Sequence, residues 1–267
     1  MHKWLGITHS DSESDSSSGE EDIFSESFDD EKLKKASSYA ENIAARTWGL
    51  SHRDKAGLSE GSLALTQDVS VLFQEELGQQ RRVWDCALVL SKFLTHPDYF
   101  APDFFHGKHV IELGCGIGVP GLSAALLGAK QVLLTDMAIA VPWIQVNITK
   151  NRLDDTVRAA GLMWGPQAAC ITGDTPFDVI LCSDLIYGDT ELAQLLLQTI
   201  AALSHASTLV VFAHEARFAG NQGRYFLDTI ASTHAVDVVP FDAQDPTYRS
   251  TNIHIHLLSP REVSHEA

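Results

Sequence analysis

The chain has 267 residues, 45% of them hydrophobic and 20% charged, which is the composition of a globular protein with a substantial core. Its formal net charge is −16, but most of this comes from residues 11–31, and the modest negative charge of the rest gives no support for a long nucleic acid as partner, because proteins that bind phosphate backbones present a basic face. No apolar run is long enough to span a bilayer, so we expect no membrane association.

The cysteines and the N-terminus indicate the compartment. Cys86, Cys115, Cys170 and Cys182 are far apart and include no C-x-x-C pair, so neither a disulfide framework nor a zinc site is indicated. The first nine residues lack the long apolar region of a signal peptide. We therefore predict a cytoplasmic protein, with the nucleus as the alternative location.

Acidic residues are concentrated near the N-terminus, where residues 11–31 hold ten Asp or Glu and no Lys or Arg. Serine is the other abundant residue of this segment, and such a composition offers few groups to a core. We predict that residues 1–61 form an acidic, Ser-rich, largely disordered segment, with a short helix at about 32–46. The folded domain is predicted at 62–267.

The folded domain begins with an alternating segment at 63–73 that predicts one or two strands. A helix follows at 83–94, where Val83, Ala87, Leu90 and Leu94 share one face. Beyond Pro102 strands and helices alternate regularly. The strands are predicted at 108–114, 131–136, 159–164, 177–184, 208–215, 235–241 and 252–259, and the helices at about 118–128, 139–151, 190–204 and 217–233.

This alternation predicts an α/β fold with a doubly wound, Rossmann-like sheet of seven strands. Residues 242–251, which join the last two strands, are too few for a helical crossover, so we predict a C-terminal antiparallel hairpin. A Rossmann-like sheet that ends in an antiparallel strand is the usual form of methyltransferases that use S-adenosylmethionine.

The most specific motif is HVIELGCGIGVPG at 109–121, which joins a buried-strand pattern to a glycine-rich turn and then to a helix. Gly114, Gly116 and Gly118 permit backbone geometry and close ligand approach that a Cβ would prevent. A dinucleotide is one candidate ligand, because residues 116–121 satisfy the fingerprint G-x-G-x-x-G. Asp136 ends the next strand, where an acid would bind ribose hydroxyls.

Three features favour S-adenosyl-L-methionine over a dinucleotide. Glu112 lies at the end of the first strand, Gly114 comes earlier than a pyrophosphate motif needs, and Pro120 removes a backbone N–H where a pyrophosphate would want donors. S-adenosylmethionine has no phosphate and carries a sulfonium, so a carboxylate near the loop is compatible with it. The two oxygens of Asp136 can accept hydrogen bonds from both ribose hydroxyls.

Several motifs around the loop resemble one enzyme family. They are VWDCALVLSKFL at 83–94, ELGCGIG at 112–118, TD at 135–136, LMWG at 162–165 and FDVILCSDLIY at 177–187. In combination they resemble the eukaryotic seven-β-strand protein-lysine methyltransferases over about 63–258. The segments AHEAR at 213–217 and YRSTNIHI at 248–255 are most similar to the valosin-containing-protein lysine methyltransferase subgroup.

This resemblance implies a set of cofactor-binding residues. Within it, Asp136 would bind the ribose, and Trp164 and Ser183 would flank the adenine. Cys115 would be a small residue tolerated beside the ligand, because no base that could activate it as a nucleophile is evident. The full set is Trp84, Glu112, Gly114, Cys115, Gly116, Gly118, Asp136, Met137, Trp164 and Ser183.

The resemblance also implies the acceptor end of the site. Asp184 and Tyr187 match the family's D-x-x-Y motif, which lies next to the transferable methyl group, and Glu215 would be a second carboxylate. A carboxylate and an aromatic face can hold a lysine ammonium before it loses a proton to solvent. We therefore predict Asp184, Tyr187 and Glu215 as catalytic residues, a protein substrate that presents a lysine, and a monomeric enzyme.

Other interpretations stay open at this point. The chain could methylate a small molecule or a nucleic-acid base, although base methyltransferases commonly carry NPPY where this chain has SDLIY at 183–187. It could also be a catalytically weak interaction module that keeps the cofactor fold. By residue type alone, Asp184 could cap the next segment and Tyr187 could be a packing residue.

Histidines are numerous, but they do not predict a metal site. His106 and His109 flank the start of a strand, and His254 and His256 alternate onto one face of the last strand. Neither pair has a third ligand at a useful spacing, so we predict no metal.

Overall fold

The computed structural model describes residues 60–76, 78–171, 176–216 and 222–261. The acidic segment and the helix predicted at 32–46 lie outside these residues. Within the described ranges, no helix combines the length and the apolar character needed to cross a membrane.

The described chain contains nine strands and five α-helices. The strands are β1 (Glu60–Ala64), β2 (Ser70–Gln74), β3 (His109–Leu113), β4 (Gln131–Asp136), β5 (Val157–Gly161), β6 (Val179–Ser183), β7 (Leu209–Glu215), β8 (His234–Val238) and β9 (Ile253–Pro260). The helices are α1 (Asp85–Phe93), α2 (Val119–Leu126), α3 (Val141–Lys150), α4 (Thr190–Leu203) and α5 (Gln222–Ile230). The helix predicted at 83–94 is present as α1, and the four residues predicted to share a face are all buried, although Val83 and Leu94 lie just outside α1.

Seven strands form one sheet in the order β5-β4-β3-β6-β7-β9-β8. The strands from β5 to β7 are parallel, and β9 runs antiparallel to both β7 and β8. The predicted Rossmann-like fold and its C-terminal antiparallel hairpin are confirmed. From β3 the chain adds β4 and β5 on one side and then β6 and β7 on the other, so the topology switches beside β3. Ligands of such sheets bind beyond the carboxyl ends of the strands at this switch point.

One predicted strand is displaced along the chain. The prediction placed it at 159–164, whereas β5 ends at Gly161, because its partner β4 ends at Asp136, directly opposite. Met163 and Trp164 therefore lie beyond the edge of the sheet, and the apolar residues there belong to a loop.

Helices cover both faces of the sheet. On one face α1, α2, α3 and the β1–β2 hairpin pack in a cluster that includes Leu63, Phe93 and Val211. On the other face α4 and α5 pack in a cluster that includes Leu196 and Phe212. The carboxyl edge of the sheet is left between these two layers.

The hairpin is attached to α3 by two asparagines, Asn147 and Asn151. Their side-chain oxygens accept hydrogen bonds from the backbone N–H of Gln74 at 2.7 Å and of Leu72 at 2.8 Å. Their side-chain amides donate to the carbonyls of the same two residues. The asparagines thus occupy the edge of β2 as a third strand would, and they fix the start of the segment that leads to α1.

Candidate active site

The glycine loop connects β3 to α2 through left-handed backbone. Gly114 has φ +53° and Gly118 has φ +82°, a region that residues with a Cβ rarely adopt. Neither position has room for a side chain. A Cβ on Gly114 would lie 2.7 Å from Leu185, and one on Gly118 would lie 2.6 Å from Leu134. Both backbone angle and close packing therefore require glycine at these two positions.

The Asp136 carboxylate, at the end of β4, holds the loop from the side. Its Oδ2 accepts a hydrogen bond from the Gly116 N–H at 2.8 Å, and its Oδ1 accepts one from the Met137 N–H at 2.7 Å. Burial raises the pKa of Asp136, and these two hydrogen bonds oppose the shift. Because a carboxylate has about four acceptor sites, Asp136 can still accept hydrogen bonds from a ligand.

Glu112 lies beneath the loop and is 1% exposed. Its Oε2 accepts a hydrogen bond from the Gly121 N–H at 2.7 Å, and so satisfies one of the amides that the first turn of α2 leaves unpaired. Burial raises the pKa of Glu112 well above its ordinary value, and the nearby Asp136 adds to this shift. With Gly121 occupied and Pro120 lacking an N–H, the first turn of α2 has few donors for a pyrophosphate.

A cavity of about 280 Å³ opens at the carboxyl ends of β3, β4 and β6. Its predicted members are Trp84, Gly114, Cys115, Gly116, Asp136, Met137, Ser183, Asp184 and Tyr187, and it is also lined by Gln79, Gln80, Arg82, Val83, Ala87, Ile117, Val119 and Leu185. The predicted residues from the glycine loop, β4 and β6 thus meet at one site. Burial, with the neighbouring carboxyl groups, raises the pKa of the Cys115 thiol well above its ordinary value, which agrees with a non-nucleophilic role.

Four predicted site residues do not line this cavity. Glu112 lies beneath the glycine loop and Gly118 packs against Leu134, so both stabilise the loop from below. Trp164 packs beside Gly114, within 3.2 Å of where a Cβ would stand, and its ring centroid is 6.3 Å from that of Tyr187. Glu215 is buried at the end of β7.

Asp184 and Tyr187 form the end of the cavity beyond β6. Asp184 is 8% exposed and has φ +60°, which is strained for a residue other than glycine. Its backbone N–H donates to the Ala213 carbonyl at 2.8 Å, which holds this turn against β7. Tyr187 is 39% exposed, so its ring stands at the mouth of the cavity while Asp184 lies inside.

Comparison with known families decides the identity. Residues 65–233, more than half of the chain, match the sequence model of a family described as lysine methyltransferase. The chain belongs to the lysine methyltransferase family. The predicted resemblance to protein-lysine methyltransferases is therefore confirmed, and S-adenosylmethionine is the methyl donor of this enzyme.

Two relatives of this methyltransferase are similar over most of its folded part. The protein N-lysine methyltransferase METTL21A of Danio rerio is 32% identical over 190 residues, which are 70% of this chain and 81% of the relative. The EEF1A lysine methyltransferase 3 of Mus musculus is 30% identical over 205 residues, 76% of this chain and 80% of the relative. These relatives carry other names than the valosin-containing-protein subgroup, so that narrower resemblance stays a prediction.

A solved structure supports the fold of this methyltransferase. It is the 16S rRNA N2 G1207 methyltransferase RsmC of T. Thermophilus in complex with AdoMet and guanosine, with a TM-score of 0.55 and 18% identity. The similarity covers 77% of this chain and 51% of that one, so this chain spans about half the length of RsmC. At this identity the likeness concerns the fold alone.

The cavity of this methyltransferase fits S-adenosylmethionine. The loop at Gly116 is less crowded than at Gly114 or Gly118, because a Cβ there would make only ordinary contacts, with the Gln80 and Arg82 carbonyl oxygens at 3.6 Å and 3.7 Å. Asp136 keeps free acceptor sites for hydroxyl groups, and the Ser183 hydroxyl, at the same edge, has no hydrogen-bond partner among the described residues. Asp184 places a carboxylate at the end of the cavity beyond β6.

Sequence reasoning missed the segment that leads into α1. Gln79, Gln80 and Arg82 line the cavity, and the Trp84 indole N–H donates to the Gln79 carbonyl at 3.1 Å. The backbone N–H of Val83 donates to the Glu75 carboxylate at 2.8 Å, which holds the segment in place. The sequence feature that could have indicated this segment is Gly78, because a glycine shortly before the tryptophan of the cofactor motif marks a turn.

Proposed function

We propose that this methyltransferase modifies a lysine side chain of a protein, and that Asp184 and Tyr187 receive that side chain. The arrangement that supports the proposal is a buried carboxylate and a half-exposed aromatic ring, three residues apart, at one end of the cofactor cavity. The relatives named as protein N-lysine and EEF1A lysine methyltransferases support a protein acceptor.

The two side chains suit a cationic acceptor. Burial, together with Asp136 and Asp184, raises the pKa of the Tyr187 phenol, so the ring stays neutral and keeps its polar hydroxyl. Tyr187 offers an aromatic face at the mouth, and an ammonium group is attracted to such a face and to the Asp184 carboxylate. A neutral hydroxyl or a planar base amine would gain less from this combination.

S-adenosylmethionine, when bound, supplies a methyl group on a sulfonium. The chain's own task is to align the lysine nitrogen with that group and to exclude water. We infer that Asp184 orients the nitrogen and that the proton of the ammonium leaves through the mouth beside Tyr187. Glu215, buried at the end of the neighbouring strand β7, is proposed as a second carboxylate of the acceptor end.

We also propose the compartment, the class of acceptor and the oligomeric state of the enzyme. All four cysteines are free thiols in the described chain, which supports a reducing compartment, the cytoplasm or the nucleus. The acidic net charge supports a protein acceptor over a long nucleic acid, and we propose that the enzyme acts as a monomer.

Asp184→Asn tests the proposal. Asparagine tolerates the left-handed backbone of this position, so the fold and the affinity for S-adenosylhomocysteine should be retained. The loss of the carboxylate should lower methyl transfer roughly 100-fold or more, the effect of removing one electrostatic group that is aimed at the reacting centre. The measurement is incubation with labelled S-adenosylmethionine and extract of the source cells, followed by mass spectrometry of the labelled species.

Asp189→Asn is the matched control. Asp189 is exposed and caps α4 by accepting a hydrogen bond from the Leu192 N–H. Asparagine can fill the same role, so the Asp189→Asn variant should be as active as the native chain. Full turnover in Asp184→Asn would remove Asp184 from the mechanism. Label in RNA or in a metabolite, with none in protein, would favour the alternative acceptors, and no binding of S-adenosylhomocysteine would favour an interaction module.

A further inference from the structure

A second cavity, of about 520 Å³, lies on the face of the sheet that α4 and α5 cover. Its walls come from β7, β9 and the start of α5. His214 is two residues from the buried Phe212 and His256 is two residues from the buried Leu258, so both imidazoles point to this face. The cavity is therefore separate from the cofactor cavity and shares only the edge of the sheet with it.

Three imidazoles meet at the wall of this cavity. His214 pairs directly with His254 across β7 and β9, and the ring centroid of His214 is 5.6 Å from that of His254 and 5.3 Å from that of His256. His256 is 5% exposed, and its Nδ1 has no hydrogen-bond partner among the described residues. A buried polar atom of this kind is usually satisfied by a water molecule, an ion or a ligand group.

The surroundings of His256 keep its imidazole neutral near pH 7. Burial, with a contribution from His254, lowers the pKa of His256 to about 4. Arg224 and Asp228 of α5 also line the cavity, where the Arg224 Nε lies 3.4 Å from Asp228 Oδ2 in a solvent-exposed ion pair. In the described residues no three His, Cys, Asp or Glu side chains are arranged to hold a metal ion.

The start of α5 lies at the same cavity. Its first three residues, Gln222, Gly223 and Arg224, all line the cavity. The N-terminus of a helix carries a partial positive charge and favours anions. Imidazoles that can accept a proton, a guanidinium and a helix N-terminus together form the chemistry of an oxyanion site.

We propose that this cavity binds an acidic side chain of the acceptor protein, close to the lysine that is methylated. The inference rests on the proposed function, since it assigns a second contact of the same substrate. The link is the segment after β6, where Tyr187 lines the cofactor cavity and its neighbour Ile186 lines the second one. The Gln222 side chain donates to the Gly188 carbonyl at 2.6 Å, which ties α5 to this segment.

A succinate titration of the full chain, labelled with ¹⁵N in its histidines, tests the site without any acceptor. The imidazole resonances of His214, His254 and His256 should shift, while that of His106, which precedes β3 at the other edge of the sheet, should not. The affinity for succinate should rise as the pH falls, because a bound carboxylate favours protonation of the His256 imidazole. His256→Gln and, at an exposed position, Arg224→Gln should each weaken the binding of succinate roughly tenfold, because each removes one charge-assisted hydrogen bond. His106→Gln should leave the binding of succinate unchanged.

The link to methylation has its own readout. With an acceptor protein isolated by labelling, His256→Gln and Arg224→Gln should raise its KM roughly tenfold while kcat stays near the native value. No histidine shift with succinate overturns the site, and a native KM in both variants overturns the acceptor role. If the native chain labels no protein, the proposed function fails, and the succinate titration still decides whether the cavity binds anions.

Discussion

The two halves of the carboxyl edge are built in different ways. The donor half, around β3 and β4, consists of left-handed glycines and largely buried side chains, with Glu112 at 1% and Cys115 at 8% exposure. The acceptor half, beyond β5 and β6, presents exposed side chains, with Met163 at 65% and Tyr187 at 39% exposure. Backbone shape dominates the first half, and side-chain chemistry dominates the second.

This difference follows from what each half has to bind. The donor is one small molecule, so its contacts can be fixed by rigid backbone that packs at the density of the core. The acceptor is a protein in our proposal, so the groups that receive it must reach the surface. Mutations in the donor half should therefore reduce stability and cofactor affinity, whereas mutations in the acceptor half should reduce methyl transfer and leave the fold intact.

Gly118→Ala should give the largest loss of stability in the donor half. A Cβ at φ +82° is strained by about 1–2 kcal/mol, and overpacking against the buried Leu134 adds about 1–3 kcal/mol. The free energy of unfolding, measured by urea denaturation, should fall by the sum of both effects.

Gly107→Ala separates the two causes. Gly107 has φ +78°, close to that of Gly118, but a Cβ there would meet nothing within 4 Å. It should therefore show only the strain of the left-handed backbone. Equal losses in the two variants would mean that Leu134 yields and that the loop is not fixed by packing.

The contrast between the halves also explains what sequence could predict. Gly114, Gly116 and Gly118 follow a buried strand and precede a helix, so local pattern and chemistry point to one loop. Asp136 was predictable for the same reason, because parallel strands bring the ends of β3 and β4 to one edge. Such features depend on neighbours in sequence or on regular sheet geometry.

The remaining features depend on contacts that no local pattern contains. The position of Gln79 in the cavity depends on the Trp84 indole, and the hairpin before it depends on Asn147 and Asn151 of α3. Glu112 was interpreted as a carboxylate compatible with the sulfonium, and its role in capping α2 needed the observed bond to Gly121. These contacts are tertiary, so the polar sequence before Trp84 could not predict them.

Asp136→Asn should give the next largest effect, and it concerns cofactor affinity. The amide nitrogen cannot accept, so one of the hydrogen bonds from Gly116 and Met137 is lost, together with an acceptor for the ribose. The Kd for S-adenosylhomocysteine, measured by calorimetry, should rise roughly 10- to 100-fold, as for a hydrogen bond to a charged group.

Asp178→Asn is a control at the opposite end of β3. Asp178 also accepts a backbone hydrogen bond, from the His109 N–H at 2.7 Å, but it lies away from the cofactor cavity. It should lower stability and leave the Kd unchanged. An unchanged Kd in Asp136→Asn would show that the donor half binds the ribose by other groups.

The smallest effect is expected for Glu112→Gln, and it appears in the pH dependence of stability. The folded chain holds the Glu112 proton more tightly than the unfolded chain, whose glutamate titrates near pH 4.3. The stability that this provides is complete below that pH and is lost as the pH rises through the raised folded value. Glutamine does not titrate, and its carbonyl can still accept from the Gly121 N–H.

Between about pH 5 and pH 7, the free energy of unfolding should therefore fall less in Glu112→Gln than in the native chain. Glu191→Gln, at an exposed position in the first turn of α4, gives the baseline for removing one carboxylate from the surface. Parallel pH profiles for the native chain and Glu112→Gln would mean that Glu112 is ionised in the fold. The donor half would then carry buried negative charge beneath the glycine loop, and Glu112 would act on the cofactor's sulfonium as well as on α2.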